Sequence, residues 1–213
     1  MIVSSRSTRP LSEVVVEAKT PLWFQVYPES DMKATLKAAQ DAIRAGCKAV
    51  CLTIGAPQPD GNLKIDWAAI DELRKGLKAP LILKGIMNPQ EAKEAAAKGI
   101  QGVVVSNHGG IFVPGFAEPI EMLPSIVEAV GGKIPVLVDG SFRRGTNILK
   151  ALASGASAVL IGRPAVWGLA AYGSEGVQAV VEMLQSELAR NMALCGKPNI
   201  RSLDSSLLKI HRR

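Results

Sequence analysis

Short β-branched runs recur along the chain, and each is followed by a stretch with apolar residues at helical spacing. Residues 2–5 predict a strand, and residues 10–19 a short helix opened by Ser12 with Glu13 behind it. Residues 23–27 alternate large apolar with polar side chains and predict a second strand. Residues 32–45 then carry Leu36, Ala39, Ala42 and Ile43 on one helical face, with Gly46 as the C-cap. Further strands are predicted over 49–54, 80–84, 102–106, 135–139 and 158–161, separated by helices over 66–77, 89–98, 123–130, 147–153 and 176–194. Residues 55–62 hold two prolines and two glycines and predict a loop, as does the Pro-rich connection before Leu123.

Strand and helix alternate with the short loops of βα units, so the pattern predicts an α/β protein with a parallel sheet covered by helices. Seven strands are one short of a TIM (β/α)8-type barrel, and 213 residues are fewer than the ~250 typical of that fold. The expectation is therefore a single domain over 1–213, a barrel lacking its first strand or left open. A doubly wound sheet is the alternative, but no G-x-G-x-x-G follows the first strand. An open barrel leaves the edges at residues 2–5 and 158–161 unpaired, which predicts a homo-oligomer or a marginally stable monomer.

Composition narrows the function classes. The chain is 47% hydrophobic and 21% charged, as globular domains are, and no apolar run reaches the ~18 residues of a membrane span. Met1 leads into Ile2-Val3 without a basic region and a long apolar core, so no secretory signal is read and a cytoplasmic location is expected. Net charge is +6, but the basic residues are scattered and aromatics make up 4%, which argues against nucleic acid and leaves an anionic ligand as the use for the excess. Cys47, Cys51 and Cys195 have no C-x-x-C or histidine spacing, so buried free thiols are expected and no metal. His211 lies in a basic tail and is expected to be solvated.

Polar residues recur at the C-terminal end of each apolar run: Ser4, Gln25 and Tyr27, Thr53, Lys84, Ser106 and His108, Asp139, then Gly162 and Arg163. In a barrel these ends converge on one face, where ligands bind. The stretch 103–110 is the centre of this pattern: an apolar strand ends in Ser106, Asn107 and His108, and Gly109 and Gly110 allow a sharp bend and the close approach of a flat ligand. Taken alone, His108 reads first as a satisfied core or loop histidine, and it is the other segments that shift the reading toward chemistry. Gly140, Gly162, Arg143 and Arg163 fall on the last two βα loops, where barrels build phosphate sites, although arginines in polar turns need no ligand.

Taken together, residues 23–27, Leu83-Lys84-Gly85, residues 106–110, residues 139–145 and residues 161–164 resemble the FMN-dependent α-hydroxy acid oxidase and dehydrogenase family, and the likeness runs over essentially the whole chain. The resemblance implies a barrel with FMN at its C-terminal face. It implies that Ser4, Gln25 and Thr53 contact the isoalloxazine ring, that Ser106 and Gly109 line the cofactor, and that Lys84 sits near the ring's N1 and C2 carbonyl, where a cation stabilises the reduced flavin. Asp139 would hold the ribityl chain, with Gly140, Arg143, Gly162 and Arg163 around the phosphate. His108 would remove a proton from the substrate, and Tyr27 would hydrogen-bond it near its carboxylate or hydroxyl.

The chain departs from the family pattern in four places. Ile111 stands where the family has an arginine that clamps the substrate carboxylate, and Gly55 where it has an aspartate that orients the histidine. A second substrate arginine and a long lid segment are missing after Pro57, and the chain begins at what would be the family's second strand. Two readings follow: an FMN-dependent oxidoreductase acting on a 2-hydroxy acid or a related apolar alcohol in a pocket lined by Phe112, Val113 and Phe116, or a degenerate barrel that binds FMN or another phosphate ligand without catalysis.

Overall fold

The protein was analysed as a computed structural model, which describes residues 1–29, 31–55, 66–110 and 117–209. Strands β1 (Ile2–Ser4), β2 (Trp23–Val26), β3 (Ala49–Thr53), β4 (Leu81–Ile86), β5 (Gly102–Val105), β6 (Val136–Val138) and β7 (Ala158–Val159) form one sheet in sequential order. Every neighbouring pair is parallel. Helices α1 (Leu11–Glu17), α2 (Met32–Ala45), α3 (Trp67–Gly76), α4 (Pro89–Ala97), α5 (Pro119–Val130), α6 (Gly145–Ala153) and α7 (Arg163–Leu194) alternate with the strands. The seven strands predicted from the sequence are all present, curled into a barrel-like sheet with β1 and β7 at its ends.

Local chemistry sets the helix starts. Asp31 accepts from Lys33 N at 2.9 Å ahead of α2, Asp66 accepts from Ala68 N and Ala69 N ahead of α3, and Asn88 accepts from Gln90 N with Pro89 in the first helical position of α4. Gly46, at φ 120°, ends α2 as expected. Ser12 does not open α1: Pro10 takes the N-cap position without a side-chain bond, because its fixed φ already suits the turn. Helix α5 begins at Pro119 rather than Leu123, as the proline supplies its first turn. Helix α7 begins at Arg163, not at residue 176, and breaks at Tyr172 and Gly173, where Gly173 has φ 63°. Its two arms close tightly enough that a Cβ on Gly168 would overlap the Gly176 carbonyl, so only glycine fits.

Two cores result from the period-two alternation of the strands. Val50, Leu52, Leu81, Leu83, Ile86, Val103, Val105, Val136 and Val138 face the helices. Ala49, Cys51, Ile82, Val104 and Leu137 pack inside the curl with Ile2, Trp23, Ala158 and Leu160. Cys47 and Cys51 are buried free thiols as expected, and burial pushes the Cys51 thiol up to about 12. Cys195, by contrast, is exposed, since it caps the end of α7. No described helix is long and apolar enough to cross a membrane.

Candidate active site

Above the apolar interior, the next inward position of six successive strands is polar, and these side chains bond to one another around the mouth. Ser4 Oγ donates to Gln25 Oε1 at 2.8 Å, and Gln25 Nε2 donates to Thr53 Oγ1 at 2.8 Å. On the other half, Lys84 Nζ donates to Ser106 Oγ at 2.9 Å and pairs with Asp139 Oδ2 at 2.9 Å. The strand register aligns them, with Ser4 opposite Gln25 and Thr53 opposite Lys84. Gln25, Thr53 and Ser106 are buried, so their hydrogen bonds offset a desolvation cost that single polar residues there could not meet.

A β-bulge makes this arrangement possible. Lys84 pairs with Val104 and Ile86 with Val105, so Gly85 is an extra residue in β4. It lets Leu83 and Ile86, three positions apart, both face the helices while Lys84 points inward. Gly85 has φ 112°, and a Cβ there would overlap the Ile54 carbonyl oxygen and stand 2.8 Å from His108 Nε2. His108 rests on this bare backbone. Its Nε2 lies 3.0 Å from Ile54 O, and because a carbonyl only accepts, Nε2–H is the donor of that bond.

His108 has φ 56°, and Gly109 and Gly110 each have φ 74°. A histidine in the left-handed region costs backbone energy, held here by the His108 N–H donating to Ser106 Oγ at 3.2 Å and the Gly109 N–H donating to Asn107 Oδ1 at 3.1 Å. Burial first, and the Lys84 ammonium second, push the His108 imidazole below its ordinary value, while the Ile54 bond and the Asp139 carboxylate pull it up.

The arginine loops adjoin this cluster. Arg143 N and Arg144 N donate to Asn147 Oδ1, at 3.2 and 3.0 Å, which fixes the turn into α6. The Arg143 guanidinium donates to Phe142 O at 2.9 Å and lies 4.7 Å over the Trp167 ring. Gly140 and Ser141 are both left-handed, at φ 99° and 58°, and Gly162 immediately precedes α7. A Cβ on Gly109 would meet Arg163 Nη2 at 3.6 Å, so Arg163 reaches back toward the histidine turn. Tyr27 lies apart from the ring of hydrogen bonds, with the Arg6 guanidinium 4.0 Å over its centroid.

The predicted site residues therefore gather at one mouth, in a Ser4–Gln25–Thr53 chain, a Lys84–Ser106–Asp139 cluster with His108, and the loops carrying Gly140, Arg143, Gly162 and Arg163. Three participants were not read from the sequence as site residues. Gly85 had a usable signal, a glycine inside an apolar strand. The Ile54 carbonyl and Arg6 had none, because a backbone acceptor and an exposed arginine look like many others. Ile111, Phe112, Val113, Phe116, the loop after Pro57 and His211 lie outside the described residues.

The donor set fits a flavin nucleotide. Asp139 Oδ1 is buried and, among the described side chains, is the one buried oxygen without a hydrogen-bond partner, an acceptor suited to a sugar-alcohol hydroxyl. Lys84 stands beside it, a cation at the floor of the mouth, and Arg143 and Arg163 place positive charge on the loops beyond.

Known proteins share this fold. Solved mandelate oxidase structures superpose closely: one with (S)-2-phenylpropionate has a TM-score of 0.88 at 35% identity, covering 95% of this chain and 66% of that one. A mandelate oxidase variant with a monooxide FMN adduct gives 0.89 at 37% identity, covering 95% and 67%. Human 2-hydroxyacid oxidase 1 is 35% identical over 98% of this chain and 70% of its own length. An L-lactate oxidase of Nostoc sp. is 37% identical, covering 99% and 71%. Two similar plant enzymes are named peroxisomal. The human alignment runs over 257 positions against the 213 residues present, so the relative carries residues this chain lacks. The model of the FMN-dependent dehydrogenases matches residues 1–62 and 58–210, and its two stretches meet in the β3–α3 connection, where the lid was expected to be missing. The chain belongs to the FMN-dependent dehydrogenase family.

Proposed function

We propose that the chain oxidises a 2-hydroxy acid to the 2-keto acid, with His108 as the base and FMN as the electron acceptor. The observation that carries this reading is the seating of His108, whose Nε2–H is held by the Ile54 carbonyl beside the Lys84–Asp139 pair. Ser4, Gln25, Thr53 and Ser106 would hold the flavin ring, Asp139 the ribityl chain, and Gly109, Gly140, Arg143, Gly162 and Arg163 the phosphate end. Bound FMN supplies a two-electron acceptor.

The chain's own residues handle the proton and the charge. The His108 imidazole takes a proton from the substrate, and the resulting imidazolium is stabilised by the Ile54 carbonyl dipole and the Asp139 carboxylate. Lys84 offsets negative charge that builds up at the floor of the mouth. Tyr27 would hydrogen-bond the substrate at the rim. Where the family has an aspartate, Gly55 leaves room for the Ile54 carbonyl to hold the ring.

The test is an anaerobic titration of the FMN-loaded protein with lactate, glycolate and mandelate, followed by visible absorption. Bleaching of the flavin band is expected with at least one of them. A band that forms and never bleaches would overturn this reading and leave a flavin-binding barrel without this chemistry.

A pH prediction follows from the depressed His108. A base works only when neutral, and a lowered value keeps it neutral further into acid. The acid limb of the kcat/KM profile should therefore have its midpoint below the ordinary histidine value of 6.5. A midpoint at or above that value would contradict the assignment of His108.

A further inference from the structure

We propose that Arg6 binds the substrate carboxylate in this chain, an inference that rests on the 2-hydroxy acid reading above. Where the resemblance led us to expect a carboxylate-clamping arginine, the chain has Ile111. A 2-hydroxy acid oxidised here would need its carboxylate held by another cation at the same rim.

The cations of the mouth differ in what they already do. Lys84 is paired with Asp139 at 2.9 Å, and Arg143 donates to Phe142 O while stacking on Trp167. Arg9, the next arginine along the chain, pairs with Glu13 at 3.5 Å and lines a groove with Met1 and Leu22, away from the mouth. Arg163 stands at the start of α7 beside Gly109, on the phosphate side. Arg6 has no ion pair and no side-chain hydrogen bond among the described residues.

Its position is nevertheless fixed. The Ser5 N–H donates to Gln25 O at 2.8 Å, extending the β1–β2 pairing, and the Arg6 N–H donates to Ser4 Oγ at 3.2 Å. Ser4 is itself bonded to Gln25, so the backbone at Arg6 is tied to the polar ring. The guanidinium then lies on the Tyr27 ring at 4.0 Å. Stacking uses the face of the guanidinium and leaves its N–H edge for a planar anion, the geometry in which arginine grips a carboxylate through two bonds. Tyr27 follows directly on the end of β2, two positions after Gln25, and brings a phenol to the same pair. Arg6 and Tyr27 thus form a platform two residues beyond Ser4 and Gln25, at the end of the strands where the polar ring lies.

The test is a calorimetric titration of oxalate, a planar carboxylate that has no 2-hydrogen to lose, into the FMN-loaded protein. Arg6→Gln should weaken oxalate binding by about tenfold to a hundredfold, and Arg6→Lys should fall between it and the parent because a point charge lacks the fork. Arg9→Gln, which removes a neighbouring exposed charge, should leave the affinity within about twofold. Where a 2-hydroxy acid bleaches the flavin, Arg6→Gln should raise KM far more than it lowers kcat. Arg6→Gln that binds oxalate as the parent does, or a parent that binds no oxalate, would overturn the proposal. Oxalate binding that depends on Arg6 in a protein whose flavin no 2-hydroxy acid bleaches would support this anion site and sink the oxidase reading alone. Bleaching with an unchanged KM in Arg6→Gln would do the reverse.

Discussion

Gly85→Ala should cost the protein both its stability and its chemistry. The new Cβ would overlap the Ile54 carbonyl oxygen and crowd His108 Nε2, at a residue whose φ of 112° already disfavours any side chain. Neither obstacle is a flexible side-chain end, so the strand must shift, at a cost of roughly 3 kcal/mol or more. For a chain of this size that lowers the melting temperature by roughly 6–12 °C. Gly99→Ala serves as the control, because Gly99 also has a positive φ but the nearest atom to its Cβ, on Arg74, is 3.9 Å away. It should lose only about 1 kcal/mol and keep its activity. A Gly85→Ala protein that melts like Gly99→Ala and still bleaches its flavin would show that the bulge does not seat the histidine.

His108→Gln should separate binding from chemistry. Glutamine preserves a donor for the Ile54 carbonyl but offers no basic nitrogen, so FMN should still bind while the rate of bleaching by a 2-hydroxy acid falls about a hundredfold to ten-thousandfold. Anaerobic stopped-flow absorption measures it directly. A rate within about tenfold of the parent would remove His108 from the role of base.

Much of this architecture was legible before any coordinates, and for a physical reason. The strands are short apolar runs punctuated by glycine and proline, and a parallel sheet buried on both faces leaves little choice of residue within them. The polar ends stood out against that background, which is why Ser4, Gln25, Thr53, Lys84, Ser106 and Asp139 could be picked one per strand. Helix starts were harder: Pro119, read as part of a Pro-rich connection, turned out to begin α5, since a proline fits the first turn as well as it ends a helix. The first arm of α7 was missed because its exposed Val166, Trp167, Leu169 and Tyr172 give no clean apolar stripe. The seating of His108 was illegible for a deeper reason. It depends on a backbone carbonyl and on the absence of a side chain at Gly85, and neither leaves a chemical mark of its own.

The curl has an apolar plug below and a polar crown above, in successive layers of the same strands. Ile82, Val104 and Leu137 pack inside the curl, whereas the half-buried Ser4 and the exposed Arg6 stand at its polar end. Such a division lets the crown be rewritten one residue at a time while the plug keeps the chain folded. For an engineer, the same feature makes the rim, rather than the floor, the place to install a new substrate preference.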